Sequence, residues 1–162
     1  IVNTSSINGF WASLGGTPHT SYSAAKFAVK GFSEALIDDL RVNAPHVDVS
    51  VVMPGHIGTS IAENTGKIIG GIKTEEDLEK VKENMIKMGM PVHNFTPEQI
   101  KQQIKENAEA FKNNAPTTSA EAADVILSAV KKKQWRILVG DDAKAIDEWV
   151  RSAPENLSLI HI

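Results

Sequence analysis

Two short β-branched and apolar stretches, "IVNTSS" at the start and "VDVSVVMPG" at Val47–Gly55, flank a single helical pattern of about twenty residues. This arrangement constrains the fold more than any other feature of the chain. Phe27, Phe32, Leu36 and Leu40 recur at helical spacing, and "NAP" at Asn43–Pro45 ends the run. A strand, a helix and a second strand make a βαβ unit. Such a unit brings its strands together in parallel through a right-handed crossover. The expected fold class is therefore α/β with a parallel sheet. Between the first strand and the helix, Ser5–Ser21 is rich in Gly, Ser, Pro and Thr and reads as a loop.

Beyond the second strand the composition changes. "TEEDLEKVKENMIKMG" and "TPEQIKQQIKENAEAFKNN" read as charged amphipathic helices, each with a Thr cap and an acidic residue in its first turn. Their Lys and Glu residues read as solvated faces. Met85, Met88 and Met90 read as apolar packing within this segment. "SAEAADVILSAVKKK" is a further capped helix, "WRILVG" a last strand and "DDAKAIDEWVRSA" a final helix. Residues 74–114 are thus expected to form a helical lid, inserted on the substrate side of an α/β core. The expected domain covers 1–157, with 158–162 a foreign tail. The strand pattern at the start, with no leader, makes the sequence read as the C-terminal portion of a longer protein.

Composition excludes several functions. The formal charge of −3 and pI near 6.0 give no basic footprint for nucleic acid. No apolar run approaches the roughly 18 residues of a membrane span. With no cysteine there is neither disulfide nor thiolate ligand, which fits a reducing, cytoplasmic setting. The five histidines never fall at the i, i+4 spacing of a helical zinc pair, and no metal is expected.

The chemistry-bearing feature is "YSAAK". Tyr22, the only tyrosine, stands four residues before Lys26, so both lie on one helix face one turn apart. An ammonium within about 4–6 Å of a phenol favours the phenolate and suits it to proton transfer near neutrality. That spacing alone also fits a chance tyrosine and lysine on a helix. The surroundings add weight: Ser23, Ala24, Ala25, Ala28 and Gly31 are small, "VNTSS" ends one strand in a serine pair, and "MPGHIGTSI" ends the next in Pro-Gly. Carboxyl ends of strands are where open α/β sheets build their sites.

"VNTSS", "YSAAK" and "PGHIGT", in this order, resemble the short-chain dehydrogenase/reductase family of the single-domain type. The resemblance covers roughly residues 1–60 strongly and the remainder more loosely. It implies the C-terminal part of a doubly wound Rossmann-type sheet and an NAD- or NADP-dependent oxidoreductase, either an alcohol dehydrogenase or a carbonyl reductase. Carried over by position, Tyr22 is the general acid/base. Lys26 supports it and hydrogen-bonds the nicotinamide ribose, and Ser6 orients the substrate oxygen. Pro54 and Gly55 shape the cofactor turn. Ile57 offers backbone to the carboxamide, and Thr59 contacts the amide or phosphates.

From Ser6 to Tyr22 is sixteen positions, longer than the family's usual step. The extra length is assigned to "SLGGTPH", with Ser5 and Ser13 as substitutes for Ser6. The glycine-rich phosphate loop, the residue that selects NAD or NADP, and the family's asparagine would lie upstream of Ile1. Two other readings share the fold: a sugar-nucleotide epimerase or dehydratase, and a nicotinamide-binding sensor without turnover. His56 and His19 are candidate pocket walls, and Phe10 and Trp11 are either substrate-facing aromatics or loop anchors. The surplus of apolar residues on the Tyr22 helix, Phe27 and Phe32 among them, points to a homo-oligomer acting on a small-molecule alcohol or carbonyl.

Overall fold

In a computed structural model, residues 1–12, 19–68, 71–152 and 154 are described. The element order is β1 (Val2–Thr4), a 3-10 turn (Ile7–Gly9), α1 (Thr20–Asn43), β2 (Ser50–Pro54), β3 (Ile57–Gly58) and α2 (Ile61–Ile68). There follow α3 (Glu75–Lys87), α4 (Pro97–Asn113), β4 (Thr117–Thr118), α5 (Ser119–Lys131), β5 (Arg136–Val139) and α6 (Asp141–Ser152). Two compact units emerge: Ile1–Ile57 with Pro116–Ile162, and Gly58–Ala115. Tail residues 158–162 lie outside the described residues. No helix among those described is long and apolar enough to cross a membrane.

The first unit holds a parallel three-stranded sheet in the order β1–β2–β5. Thr4 pairs with Val52, and Pro54 with Val139. The α/β parallel arrangement expected from the sequence is thus present. Val51, Val52 and Met53 are buried side by side along β2. Successive strand residues point to opposite faces, so an unbroken apolar run marks a strand covered on both. Val52 joins Ile137 and Val139 of β5 and Ala122 and Ala129 of α5 in one cluster. The small alanines let α5 approach the sheet closely. On α1, buried Ser33 donates to the Val29 carbonyl at 2.7 Å and accepts from Asn3 Nδ2 at 3.0 Å, which ties β1 to the helix. β1 lies at one end of the strand order, and Val2 is exposed.

A second tie joins β5 to α6. The Arg136 guanidinium grips buried Asp147 bidentately, with Nη1 donating to Oδ2 at 2.9 Å and Nη2 to Oδ1, and Arg151 Nε donates to the same carboxylate at 3.1 Å. The Arg136 hydrogen bonds, helped by Arg151 and opposed by burial, hold the Asp147 carboxyl below the usual carboxylate range. Its folded form therefore takes up a proton less readily than its unfolded form. The stabilisation is whole above about pH 4 and is lost as the pH falls through the depressed folded value. Asp147→Asn should cost about 3 kcal/mol at pH 7, and its stability should fall less than that of the unsubstituted protein between neutral and strongly acid pH. Urea unfolding of both proteins across that range checks this; parallel pH profiles would show that the pair carries no such linkage.

The second unit has its own core of Leu78, Met85, Val92 and Ile100, flanked by Ile72, Met90, Phe95 and Ile104. Thr74 caps α3 in a capping box with Asp77, and Thr96 caps α4 in one with Gln99. Thr118 and Glu121 repeat the device at α5, in the first unit. Two features differ from the sequence reading. α2 forms in "IAENTGKI", to which the sequence reading assigned no element, and Met88 stands exposed at the end of α3 while Met85 and Met90 pack inward.

Candidate functional site

Ser6 closes β1. It caps the 3-10 turn, its Oγ accepting the Asn8 backbone N–H at 3.2 Å, and it is buried. Neighbouring Ser5 Oγ donates to the Lys26 carbonyl on α1 at 2.8 Å, and Lys26 Nζ reaches back to the Thr4 carbonyl at 3.1 Å. Gly9 completes the junction. A Cβ there would stand 2.9 Å from the Lys26 carbonyl oxygen and closer still to Ser5 Oγ, so only glycine lets the turn press against the helix. Three contacts thus pin the serine pair to the turn of α1 that carries Lys26. Ser5 Oγ is held by this 2.8 Å bond to α1, whereas the polar contacts of Ser6 Oγ among the described residues are with Asn8 alone, at 3.2 Å from its N–H and 3.5 Å from its Oδ1. The other substitute, Ser13, lies outside the described residues.

Tyr22 lies in the first turn of α1 and is 45% exposed. The Lys26 ammonium stands 5.5 Å from its ring centroid, within cation–π range. His19, which precedes the helix, meets the Tyr22 ring edge-on at 6.1 Å. The i, i+4 spacing therefore delivers the juxtaposition of cation and phenol that it suggested. Asn8 Nδ2 is buried beside the serine turn with no hydrogen-bond partner among the described residues.

Pro54 ends β2, and Gly55 N–H donates to the Val139 carbonyl at 2.9 Å, continuing the ladder to β5. β1 and β2 are adjacent and parallel, so Ser6 and the Pro54–His56 turn both follow the carboxyl ends of neighbouring strands. Ile57, half-buried, opens β3. Thr59, also half-buried, falls within the second compact unit and is described with it alone.

Asp142 was not singled out from the sequence, whereas Phe10 and Trp11 were read as substrate-facing aromatics or loop anchors. Asp142, at the start of α6, accepts the His56 backbone N–H at 2.6 Å. Arg136 lies over the Phe10 ring, 5.8 Å from its centroid, and buried Trp11 packs edge-on against Trp149 of α6 at 4.9 Å. Phe10 and Trp11 thus anchor the serine loop to β5 and α6. A signal for the Trp pair was present in the sequence, since large aromatics on a terminal helix seek cover. For Asp142 there was none, because two aspartates at a helix start look like ordinary first-turn acids.

With this geometry in place, similarity to known proteins becomes informative. Residues 1–69 match the family model described as short chain dehydrogenase. Over 152 residues the chain is 34% identical to SadH, a Mycobacterium tuberculosis protein described as an oxidoreductase, which takes in 93% of this chain and 43% of that one. The 3-ketodihydrosphingosine reductase of Bacteroides thetaiotaomicron is 45% identical over 65 residues, 40% of this chain and 22% of that protein. Among solved structures, a short chain dehydrogenase/reductase from Burkholderia phymatum in complex with NAD aligns with a TM-score of 0.61 at 22% identity, over 100% of this chain and 49% of that one. That likeness carries the fold, which is of the Rossmann type. The chain spans less than half the length of the curated relatives it matches.

Proposed function

The chain belongs to the short-chain dehydrogenase/reductase family, and from that premise we propose that the protein carrying it is an NAD(P)-dependent oxidoreductase interconverting a hydroxyl and a carbonyl. The observation that supports this most directly is the Lys26 ammonium over the Tyr22 ring, on the helix turn to which the serine loop is hydrogen-bonded. The residues present fit a nicotinamide nucleotide. Lys26 uses one of its three donors on Thr4 and keeps two for ribose hydroxyls, and Tyr22 is open to solvent. When bound, the nicotinamide supplies or accepts hydride.

The chain's own residues then move the proton and hold the substrate. In reduction the Tyr22 hydroxyl gives its proton to the carbonyl oxygen; in oxidation the phenolate takes it from the alcohol. Lys26 holds a positive charge over the Tyr22 ring, 5.5 Å from its centroid, as the phenol exchanges that proton. Ser6 Oγ accepts the Asn8 N–H at 3.2 Å and lies 3.5 Å from Asn8 Oδ1, a long contact that a substrate oxygen would replace as acceptor of its proton. Pro54, Gly55 and the backbone at Ile57 form the turn read as facing the carboxamide. On the same reading, the exposed Phe27 and Phe32 of α1 serve self-association.

The test is hydride transfer by the full-length protein. Purified enzyme is offered NADH and NADPH with a panel of ketones and aldehydes, and the loss of reduced nicotinamide is followed optically. Oxidation of one cofactor, dependent on a carbonyl, is the expected result. Cofactor binding without turnover of any carbonyl or alcohol would favour the sensor reading, and no binding of either cofactor would end the proposal.

A further inference from the structure

The glycine of the Pro54–Gly55 turn is not there for backbone freedom. The positive-φ glycines among the described residues are Gly71, Gly89 and Gly140. What Gly55 provides is room: a Cβ built on it would lie 2.2 Å from both carboxylate oxygens of Asp142. Gly140, at φ 100°, makes the opposite wall of the same slot, since its Cβ would lie 2.3 Å from Asp142 Oδ1. The carboxylate seated there is fully engaged. Oδ2 accepts the His56 N–H at 2.6 Å, and Oδ1 accepts the Ala143 N–H at 2.9 Å. One side chain thus joins the end of β2 to the first turn of α6, across 86 positions of sequence.

We propose that Asp142 is a positioning residue for the cofactor turn. It fixes the His56 peptide and so sets the direction of the backbone leading into Ile57, and it is the reason position 55 must lack a side chain. The inference rests on the oxidoreductase reading for its functional half only; the tether is a matter of geometry. Asp142 acts through the His56 backbone N–H that it holds. Its effect should therefore appear in cofactor affinity more than in the chemical step.

The experiment compares Asp142→Ala, Asp142→Asn, Gly55→Ala and the Gly55→Ala/Asp142→Ala double variant in the full-length protein. Three quantities are read: His56 amide hydrogen exchange, the dissociation constants of NADH and NADPH by fluorescence, and kcat at saturating cofactor. Losing a hydrogen bond to a charged acceptor should speed His56 exchange and weaken cofactor binding, each about tenfold, with kcat changed much less. Gly55→Ala alone should reproduce both effects, because its Cβ displaces the carboxylate. Added to Asp142→Ala it should do little more, because the space is then open. Asp142→Asn keeps one acceptor oxygen and should fall between; it carries the test if the alanine variant fails to fold. Unchanged His56 exchange, or additive Gly55 and Asp142 effects, would overturn the tether. Faster exchange with unchanged affinity would overturn the positioning role. Failure of the oxidoreductase reading looks different, because the unsubstituted protein would then bind neither cofactor.

Discussion

Tyr22→Phe is expected to lower turnover by about a hundred- to ten-thousandfold while leaving cofactor affinity nearly unchanged, the range general acid–base catalysis supplies. The substitution removes one oxygen and its proton and keeps the ring. The packing of that ring against His19 and beneath the Lys26 ammonium is therefore preserved. Tyr22 is half exposed and in the first helical turn, so losing its hydroxyl leaves no buried group unpaired, and the fold should be indifferent. Thermal unfolding of the variant should overlay that of the parent. A steady-state assay then reads kcat directly, with fluorescence titration of NADH and NADPH as the control. Normal turnover by the phenylalanine variant would remove Tyr22 from the mechanism and the proposed chemistry with it.

Lys26→Ala should be the more damaging change, because that side chain has two tasks. Its ammonium stands over the Tyr22 ring, and its remaining donors are available to a ribose. Both kcat and cofactor affinity should fall, the first by a factor comparable with the Tyr22 variant, on the order of a hundredfold or more. Lys26→Arg keeps the charge but replaces a compact ammonium with a planar fork, and should recover cofactor binding better than turnover. The measurement is the same pair of assays. Loss of turnover with intact affinity in the alanine variant would confine Lys26 to the proton step and refute its ribose contact.

What the sequence disclosed follows the range of the interactions. The Tyr22–Lys26 pair was legible because it is local: helical spacing alone sets four residues to one turn. The βαβ unit was legible because β2 carries the unbroken apolar run Val51–Met53, the mark of a strand covered on both faces. The capped helices α3, α4 and α5 declared themselves through a threonine and an acid or amide three residues on. α2 stayed hidden because "IAENTGKI" is short and bounded by Thr, Ser and Gly, so no long periodic face marks it. Asp142 stayed hidden for another reason. It meets the β2 turn only because β5 pairs alongside β2, a partnership that no local pattern encodes. Thr59 was assigned by its position in "PGHIGT", and the chain enters its second compact unit at Gly58.

The position of β2 between β1 and β5 also dictates an order of events when the chain is made. A ribosome delivers β1, α1 and β2 before β5, and the whole of Gly58–Ala115 must emerge in between. Throughout that interval one edge of the most apolar strand has no neighbour, the condition under which nascent chains mispair or aggregate. The intervening segment is suited to the delay, since its helices begin at their own caps and close on their own core without waiting for the sheet. Pairing of β5 with β2 is non-local, and such pairing is intrinsically slow. Only after it can Asp142 reach His56, so the Pro54–His56 turn takes its final form once β5 is in place.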